Sequence, residues 1–119
     1  MDRCSFSYTK SDRILKRARY LEIYSRGKRF RNRLFYIYFL ENGLENSRLG
    51  LTVSRKVGSS VIQNRIKRHF REIFRKTGKL INPPSDVVIN ATRGTVGKDY
   101  NFLQEAFRNE VEKWEEVNK

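Results

Sequence analysis

Residues 54–79, with the sequence SRKVGSSVIQNRIKRHFREIFRKTGK, concentrate the side chains that could bind a polyanion. Nine of these residues are Lys or Arg, and Glu72 is the only acid among them. Gly58-Ser59-Ser60 predicts a turn in which a serine hydroxyl caps the start of a helix, and Gly78 predicts the end of that helix. A helix of about four turns is therefore expected between them.

At about 100° per residue, this helix divides into an apolar face and a basic face. The apolar face is predicted to comprise Ile62, Ile66, Phe70, Ile73 and Phe74, with His69 at its margin. The basic face and its flanks comprise Asn64, Arg65, Lys67, Arg68, Arg71, Arg75 and Lys76. A solvated face is the ordinary meaning of a charge run, but cations at this density repel one another. The clustering favours contact with a nucleic acid, whose phosphates supply the missing charge.

The composition extends this interpretation to the whole chain. Its 119 residues suit one domain with one core, and we predict a loosely held arm over residues 1–13 and a single domain over 14–119. The 26 Lys and Arg residues outnumber the 13 acids, for a net charge of +13, which favours a phosphate-rich partner. Residues 99–119, by contrast, have six acids and three cations, so this segment is expected to face away from the polyanion.

Several function classes are excluded by what the sequence lacks. Cys4 and His69 are the only residues of their types, which leaves no intrachain disulfide and no common Cys or His metal site. The basic region has no acidic cluster for two metal ions, and no nucleotide-binding glycine motif occurs. We predict no catalytic residue and no metal ligand. Without a transmembrane run or a signal peptide, we predict a cytoplasmic protein with no membrane partner.

The first element is predicted as a helix that begins at Ser11 or Lys16, runs to Arg26 and is ended by Gly27. Tyr20 and Tyr24 are four residues apart and so share one face of it. They are either core aromatics or a stacking surface for unpaired bases, and the composition favours the two interpretations equally.

A long β stretch over residues 28–40 follows, either continuous or kinked into two strands. Its alternation predicts a core side of Phe35, Ile37 and Phe39. The other side is predicted to comprise Phe30, Asn32, Tyr36 and Tyr38. Because that face mixes aromatic and polar groups, it is a candidate binding surface.

The remaining elements complete the predicted fold. A strand over residues 48–56 points Leu49, Leu51 and Val53 to the core, and a strand over 86–92 is expected to be central. A helix over 99–117 is predicted to bury Phe102, Ala106, Val111 and Trp114 and to expose its acids. The order α-β-β-(β)-α-β-α predicts an α/β fold of the α+β sandwich type, with a small mixed sheet packed with helices.

The segments LGLTVSRK (residues 49–56), Val57-Gly58 and QNRIKRHFREIF (residues 63–74) resemble the protein component of bacterial ribonuclease P, and the resemblance spans residues 14–117. It implies a ribosomal-protein-like fold with a left-handed βαβ crossover, against the right-handed default. It further implies a subunit that joins ribonuclease P RNA to remove the 5′ leader of precursor tRNA. The RNA would perform the chemistry with Mg²⁺. The protein alone would bind no cofactor and need no obligate protein partner.

The resemblance also implies roles for individual residues. The catalytic-RNA contacts would be Asn64, Arg65, Lys67, Arg68 and Arg71, to which we add Arg75 because it lies on the same helix face. The contacts to the single-stranded leader would be Tyr20, Tyr24, Phe30, Asn32, Tyr38, Ser54, Lys56 and Arg93. Two departures concern these sets: Gln63 stands where the family usually has Arg, and Thr92 separates Ala91 from Arg93 where the family often has Ala-Arg.

Three other functions compete with this one. A structural ribosomal or RNA-assembly protein could have the same fold, but it would not need a mixed aromatic sheet face. A self-sufficient nuclease would need a carboxylate cluster that the sequence lacks. A helix-turn-helix DNA-binding protein would account for one basic helix but not for the long aromatic strands.

Overall fold

The computed structural model describes residues 13–78 and 81–118. The helices are α1 (Arg17–Arg26), α2 (Ser60–Lys76) and α3 (Tyr100–Val117), and single 3-10 turns cover Arg55–Val57 and Arg93–Thr95. The strands are β1 (Lys28–Arg31), β2 (Phe35–Glu41), β3 (Arg48–Val53) and β4 (Ser85–Ala91). This mixed set of elements confirms the predicted α+β class. Apart from Arg13, the predicted arm over residues 1–13 lies outside the described residues.

The sheet has four strands in the order β1-β2-β4-β3. β1 pairs with β2 and β2 with β4 in antiparallel fashion, whereas β3 and β4 are parallel. Because α2 connects the two parallel strands, β3-α2-β4 is a βαβ unit; its left hand stays a prediction. β4 lies inside the sheet, and six of its seven residues are buried, which confirms the predicted central strand.

Helices α2 and α3 cover one face of the sheet and form the main core with it. Phe35, Ile37 and Phe39 are fully buried there, as predicted. The Phe35 ring meets Phe70 of α2 edge to face at 5.5 Å, and the Phe39 ring stacks on Trp114 of α3 at 5.3 Å. Since each such side chain contributes about 1.5–3 kcal/mol on burial, this layer holds the sheet and both helices together.

Helix α1 lies on the opposite face, over a much smaller apolar cluster. The buried residues of this cluster are Ile14, Ile23 and Val88, and Tyr20, Tyr38 and Leu40 pack against it. None of the described helices combines the length and the apolar character needed to span a bilayer. The second face of the sheet is therefore only partly covered, which leaves polar and aromatic side chains of the strands beside α1 partly exposed.

The predicted long strand is a hairpin, which corrects the placement of two residues. The Asn32 Oδ1 atom accepts hydrogen bonds from the backbone N–H groups of Leu34 and Phe35, at 2.8 and 2.9 Å, and turns the chain back on itself. In the resulting register Phe30 lies opposite Ile37. Since directly paired residues share a face, Phe30 belongs to the α2 and α3 side, and its prediction beside Tyr38 is wrong.

Two further boundaries differ from the prediction. Strand β3 ends at Val53 because the Ser54 hydroxyl accepts a hydrogen bond from the Lys56 N–H at 3.1 Å and starts the first 3-10 turn. Ser54 and Lys56 are therefore not strand residues. Helix α3 buries Leu103, Phe107, Glu110 and Trp114, while Phe102 is 53% exposed. The predicted apolar face of α3 was thus wrong at Phe102, and its acids are not all exposed.

Candidate nucleic-acid interface

Helix α2 presents a basic face to solvent because its apolar face is fixed in the core. The Ser59 hydroxyl caps its first turn through the Ile62 N–H. Ile66, Phe70, Ile73 and Phe74 are buried, as the periodicity predicts. Asn64, Arg65, Arg68 and Arg71 are exposed, and Lys67 and Arg75 are half-buried. We define these six residues as the basic face.

The members of the basic face differ in how far their charge is already balanced. The Arg75 guanidinium forms an ion pair with Glu72 one turn earlier, and the same carboxylate lies 3.8 Å from the Lys76 Nζ atom. The hydrogen bond from Arg75 lowers the pKa of Glu72, which keeps this carboxylate charged. Arg75 therefore offers a phosphate less uncompensated charge than the exposed arginines of the same face.

His69 is half-buried at the margin of the apolar face, as predicted, and lies beside the basic face. Its ring centroid is 6.0 Å from that of Tyr100, the first residue of α3. Burial lowers its pKa from the ordinary 6.5, and the positive charges of Arg65 and Arg68 lower it further, against a smaller opposing effect of Asp99. The imidazole is therefore harder to protonate than a free histidine, in part because of the charges of the basic face.

Three tyrosines meet on the partly covered face of the sheet. Tyr24 of α1 contacts Tyr38 of β2 edge to face, with 4.9 Å between ring centroids, and the Tyr20 and Tyr24 centroids are 6.5 Å apart. The Tyr24 hydroxyl lies 3.2 Å from the Asn90 Oδ1 atom, to which it donates a hydrogen bond. We call Tyr20, Tyr24, Tyr38 and Asn90 the tyrosine cleft. Its aromatic faces and amide suit bases that are not paired.

A glycine lets α1 approach the sheet at this cleft. A Cβ atom on Gly50 would lie 2.6 Å from the Tyr20 hydroxyl oxygen, closer than real side chains approach each other. Any residue larger than glycine at position 50 would therefore displace the Tyr20 ring. Burial raises the pKa of the Tyr20 hydroxyl, which also has a backbone hydrogen bond with Leu51. The ring of Tyr20 is thus fixed on β3, while Tyr24 is 37% exposed.

The sheet register adds residues to this surface that the sequence did not single out. Arg31, Tyr36, Asn90 and Thr52 form one row across the four strands. Arg29 lies over the Tyr36 ring, with 5.7 Å between the guanidinium carbon and the centroid. The alternation placed Tyr36 and Thr52 on this face, but Asn90 could be added only from the long-range pairing of β4 with its neighbours.

A fully buried carboxylate connects α1 to the sheet. Asp86 of β4 accepts hydrogen bonds from Arg19 of α1, Arg48 of β3 and Asn42 of the β2–β3 loop. Burial alone would raise the pKa of Asp86, but the hydrogen bonds from Arg48, Asn42 and Arg19 outweigh it, and the pKa is lowered. From the sequence, Asp86 is predicted only as the start of a strand, because its partners are 38 to 67 residues away along the chain.

Ser54, Lys56 and Arg93 come together where the parallel strands β3 and β4 end. The Arg93 Nε atom donates a hydrogen bond to the Lys56 carbonyl oxygen at 3.0 Å. These three residues border a cavity of about 400 Å³ between the two 3-10 turns. The chain then continues directly into α2, so this basic corner links the sheet to the basic face.

Two predicted leader contacts lie elsewhere. Phe30 packs on Phe39, with ring centroids 5.9 Å apart, on the α3 side of the sheet. The Asn32 Nδ2 atom donates a hydrogen bond at 2.8 Å to Glu110 of α3. Both side chains therefore support the hairpin and its packing on α3, and the structure does not bring them together with Tyr20, Tyr24 and Tyr38.

The two departures from the family pattern have local explanations. The Gln63 side chain donates a hydrogen bond at 2.8 Å to the Gly58 carbonyl oxygen and so closes the loop before α2. The Thr92 hydroxyl caps the 3-10 turn of residues 93–95 and donates to the Leu34 carbonyl oxygen at 2.9 Å. The Gln63 side chain thus bonds the backbone of the loop before α2. The turn capped by Thr92 places Arg93 near Lys56.

Potential metal ligands are scattered over the described part of the chain. Within 13–78 and 81–118, no group of three or more His, Cys, Asp or Glu residues is arranged to hold a metal ion. The Mg²⁺ of the holoenzyme stays a prediction.

Comparisons with known proteins agree on one family. A family model described as Ribonuclease P matches residues 8–115. The ribonuclease P protein component of Syntrophus aciditrophicus is 45% identical over 91 residues, 76% of each chain, and that of Listeria monocytogenes is 36% identical over 98 residues, 82% of each chain.

Solved structures show the same fold. The ribonuclease P protein of Thermotoga maritima is similar with a TM-score of 0.77 and 31% identity, over 85% of this chain and 96% of that one. The protein of Staphylococcus aureus is similar with a TM-score of 0.75 and 33% identity, over 84% and 92% of the two chains.

Proposed function

This chain belongs to the ribonuclease P protein component family, and we propose that its two polar surfaces bind two different RNAs. Membership makes it a subunit of a tRNA-processing holoenzyme with ribonuclease P RNA as its partner. In our proposal the basic face binds that RNA. The tyrosine cleft binds the single-stranded 5′ leader of precursor tRNA, and the RNA removes the leader with bound Mg²⁺.

The observation that carries this proposal is the grouping of Tyr20, Tyr24 and Tyr38 on the face of the sheet that α2 and α3 leave uncovered. Exposed aromatic rings next to amides and cations are the means by which proteins bind single strands without needing a duplex groove. A subunit that only bound folded RNA through phosphates would have no use for them.

The basic face has the chemistry for a structured RNA. Exposed arginines on one side of a helix can neutralise several phosphates, and the counterions of those phosphates are released on binding. The basic corner of Ser54, Lys56 and Arg93, where β3 and β4 end, would contact the leader backbone. Phe30 and Asn32 are left out of the proposed leader contacts because they lie on the α3 side.

The chain itself has the role of binding and positioning in this proposal. Holding the leader in the cleft raises substrate affinity and fixes the scissile bond relative to the RNA active site. When bound, Mg²⁺ would supply the activated water and stabilise the leaving oxygen. The family match favours this function over the structural ribosomal or RNA-assembly alternative.

Reconstitution tests the proposal. A precursor tRNA with a 5′ leader is incubated at low Mg²⁺ and near-physiological salt with the protein, with ribonuclease P RNA, or with both. We expect cleavage at the mature 5′ end only in the mixture. Cleavage by the protein alone would show a protein active site. A mixture that binds RNA without stimulating cleavage would favour the structural alternative.

A further inference from the structure

We propose that Asp86, acting through Arg19, is a positioning residue that holds α1 at the separation from the sheet that the tyrosine cleft requires. This inference rests on the leader-binding function proposed above. It gives a role to a buried carboxylate that lies outside the basic face and outside the tyrosine cleft.

Helix α1 has few other attachments that fix its position. Ile23 is its only buried residue, and the N-cap residue Lys16 makes no side-chain capping hydrogen bond. The apolar cluster beneath it has three buried side chains, Ile14, Ile23 and Val88. Apolar contacts oppose separation of α1 from the sheet, but because they are not directional they do little to prevent rotation or sliding.

The hydrogen bonds to Asp86 are directional, and they saturate its carboxylate. The Oδ1 atom accepts from Arg48 Nε at 2.8 Å and from Asn42 Nδ2 at 2.9 Å. The Oδ2 atom accepts from Arg19 Nε at 2.6 Å and from Arg48 Nη2 at 2.5 Å. The bidentate fork of Arg48 fixes the orientation of the carboxylate, and the fixed carboxylate in turn fixes Arg19.

Arg19 transmits this constraint to the cleft. It directly precedes Tyr20, whose ring lies against Gly50 of β3. Arg48 is two residues before Gly50 on the same face of that strand. Arg19 also donates to Glu22 at 2.8 Å, so its guanidinium spans α1 and the sheet. The network therefore lies two residues along β3 from the contact between Gly50 and Tyr20 that sets the position of the Tyr20 ring.

The alternative is that Asp86 only stabilises the fold. The two functions can be separated because the network has two parts. Arg48 and Asn42 bind Asp86 within the sheet and its β2–β3 loop, whereas Arg19 is the residue that connects it to α1. Arg19→Gln releases α1 and leaves Asp86 paired, while Asp86→Asn disturbs both parts.

The experiment measures precursor tRNA binding and cleavage by the reconstituted holoenzyme. One substrate has a leader of about eight nucleotides, which reaches the cleft, and the other has a single-nucleotide leader, which does not. We expect Arg19→Gln to weaken binding of the long-leader substrate about ten-fold, the loss expected when one base stack is misplaced. Binding of the short-leader substrate and kcat at saturation should not change. Arg19→Lys, which restores one bond to Asp86, should recover part of the loss.

Two further measurements separate positioning from general stability. Hydrogen exchange of the α1 amides should accelerate in Arg19→Gln, while exchange in α2 stays unchanged. Glu110→Gln is the matched control, since it alters another buried carboxylate that is bonded to an asparagine, but on the α3 side. It should leave the preference for the long leader intact.

Each outcome has one meaning. If Arg19→Gln keeps the wild-type preference for the long leader, or if Glu110→Gln loses it equally, the positioning role is wrong. If the wild-type holoenzyme itself does not distinguish the two substrates, the proposed leader-binding function fails before the positioning role is reached.

Discussion

At the scale of single residues, the basic face predicts unequal contributions from residues of the same type. Arg68→Ala should lower RNA affinity and reduce the slope of log affinity against log salt by about 0.7–0.9, the value of one phosphate contact. Arg75→Ala should change the slope less, because Glu72 already balances part of its charge. Filter binding of ribonuclease P RNA from about 0.05 to 0.3 M salt measures both slopes. Equal slopes for the two variants would contradict the ranking.

His69 gives a second prediction at this scale. Phosphates bound at Arg65 and Arg68 cancel the positive charges that lower its pKa in the free protein. The pKa of His69 should therefore rise on RNA binding, and a proton is taken up. Affinity for the RNA should increase as pH falls from about 7 to about 6.

The control for this pH dependence is His69→Gln, which keeps a polar side chain but removes the titration. Its affinity should vary less with pH over the same range. Parallel profiles for wild type and variant would show that His69 does not take up the proton. A wild-type affinity that decreases toward pH 6 would mean that burial of His69 by RNA outweighs the cancelled charges.

At the scale of elements, the hairpin makes opposite predictions for two aromatic residues. Tyr24→Ala should weaken binding of a long-leader substrate by about 1–3 kcal/mol, the range for loss of one stacked base, with little loss of stability. Phe30→Ala should lower the free energy of unfolding by about 2–3 kcal/mol, below the usual range for a fully buried phenylalanine, and leave leader binding unchanged.

Denaturant unfolding and holoenzyme binding measure the two effects separately. Both substitutions remove an aromatic ring, so each serves as the control for the other. Loss of leader affinity in a folded Phe30→Ala variant would place β1 in the leader site and contradict the assignment of the two faces.

The elements also show how far the sequence predicts this fold. The faces of α2 followed from periodicity alone, because a helix amphipathic over four turns has one way to bury its apolar side. The hairpin did not follow, because residues 28–40 contain neither Gly nor Pro, and the turn depends on the two backbone bonds of Asn32. The buried face of α3 was predicted only in part: Trp114 is buried as expected, but Glu110 was placed on the solvent side because its bond to Asn32 is a contact 78 residues away.

The candidate site divides in the same way. Residues whose role depends on exposure along one element, such as Arg68 and Tyr24, could be selected from the sequence. Asp86 and Asn90 could not be selected from the sequence, because the residues that bond or pair with them come from α1, β2 and β3. Long-range pairing of this kind leaves no periodic signal in a single sequence.

At the scale of the whole molecule, the net charge of +13 raises the question of whether RNA binding depends on total charge or on its location. The molecule measures 36 × 35 × 27 Å, several times the Debye length of about 8 Å at physiological salt. Charges far from the bound phosphates are therefore screened. Affinity should follow the charge of the basic face and not the net charge of the chain.

Two double variants separate these possibilities. Arg68→Ala with Arg71→Ala lowers the net charge by two on α2, and Glu105→Gln with Glu112→Gln raises it by two on the exposed side of α3. The first should reduce affinity for ribonuclease P RNA and reduce the salt slope by about 1.4–1.8, which corresponds to two contacts. The second should leave affinity and slope near their wild-type values at physiological salt. If the α3 variant instead strengthens binding as much as the α2 variant weakens it, the net charge and not the basic face determines the affinity.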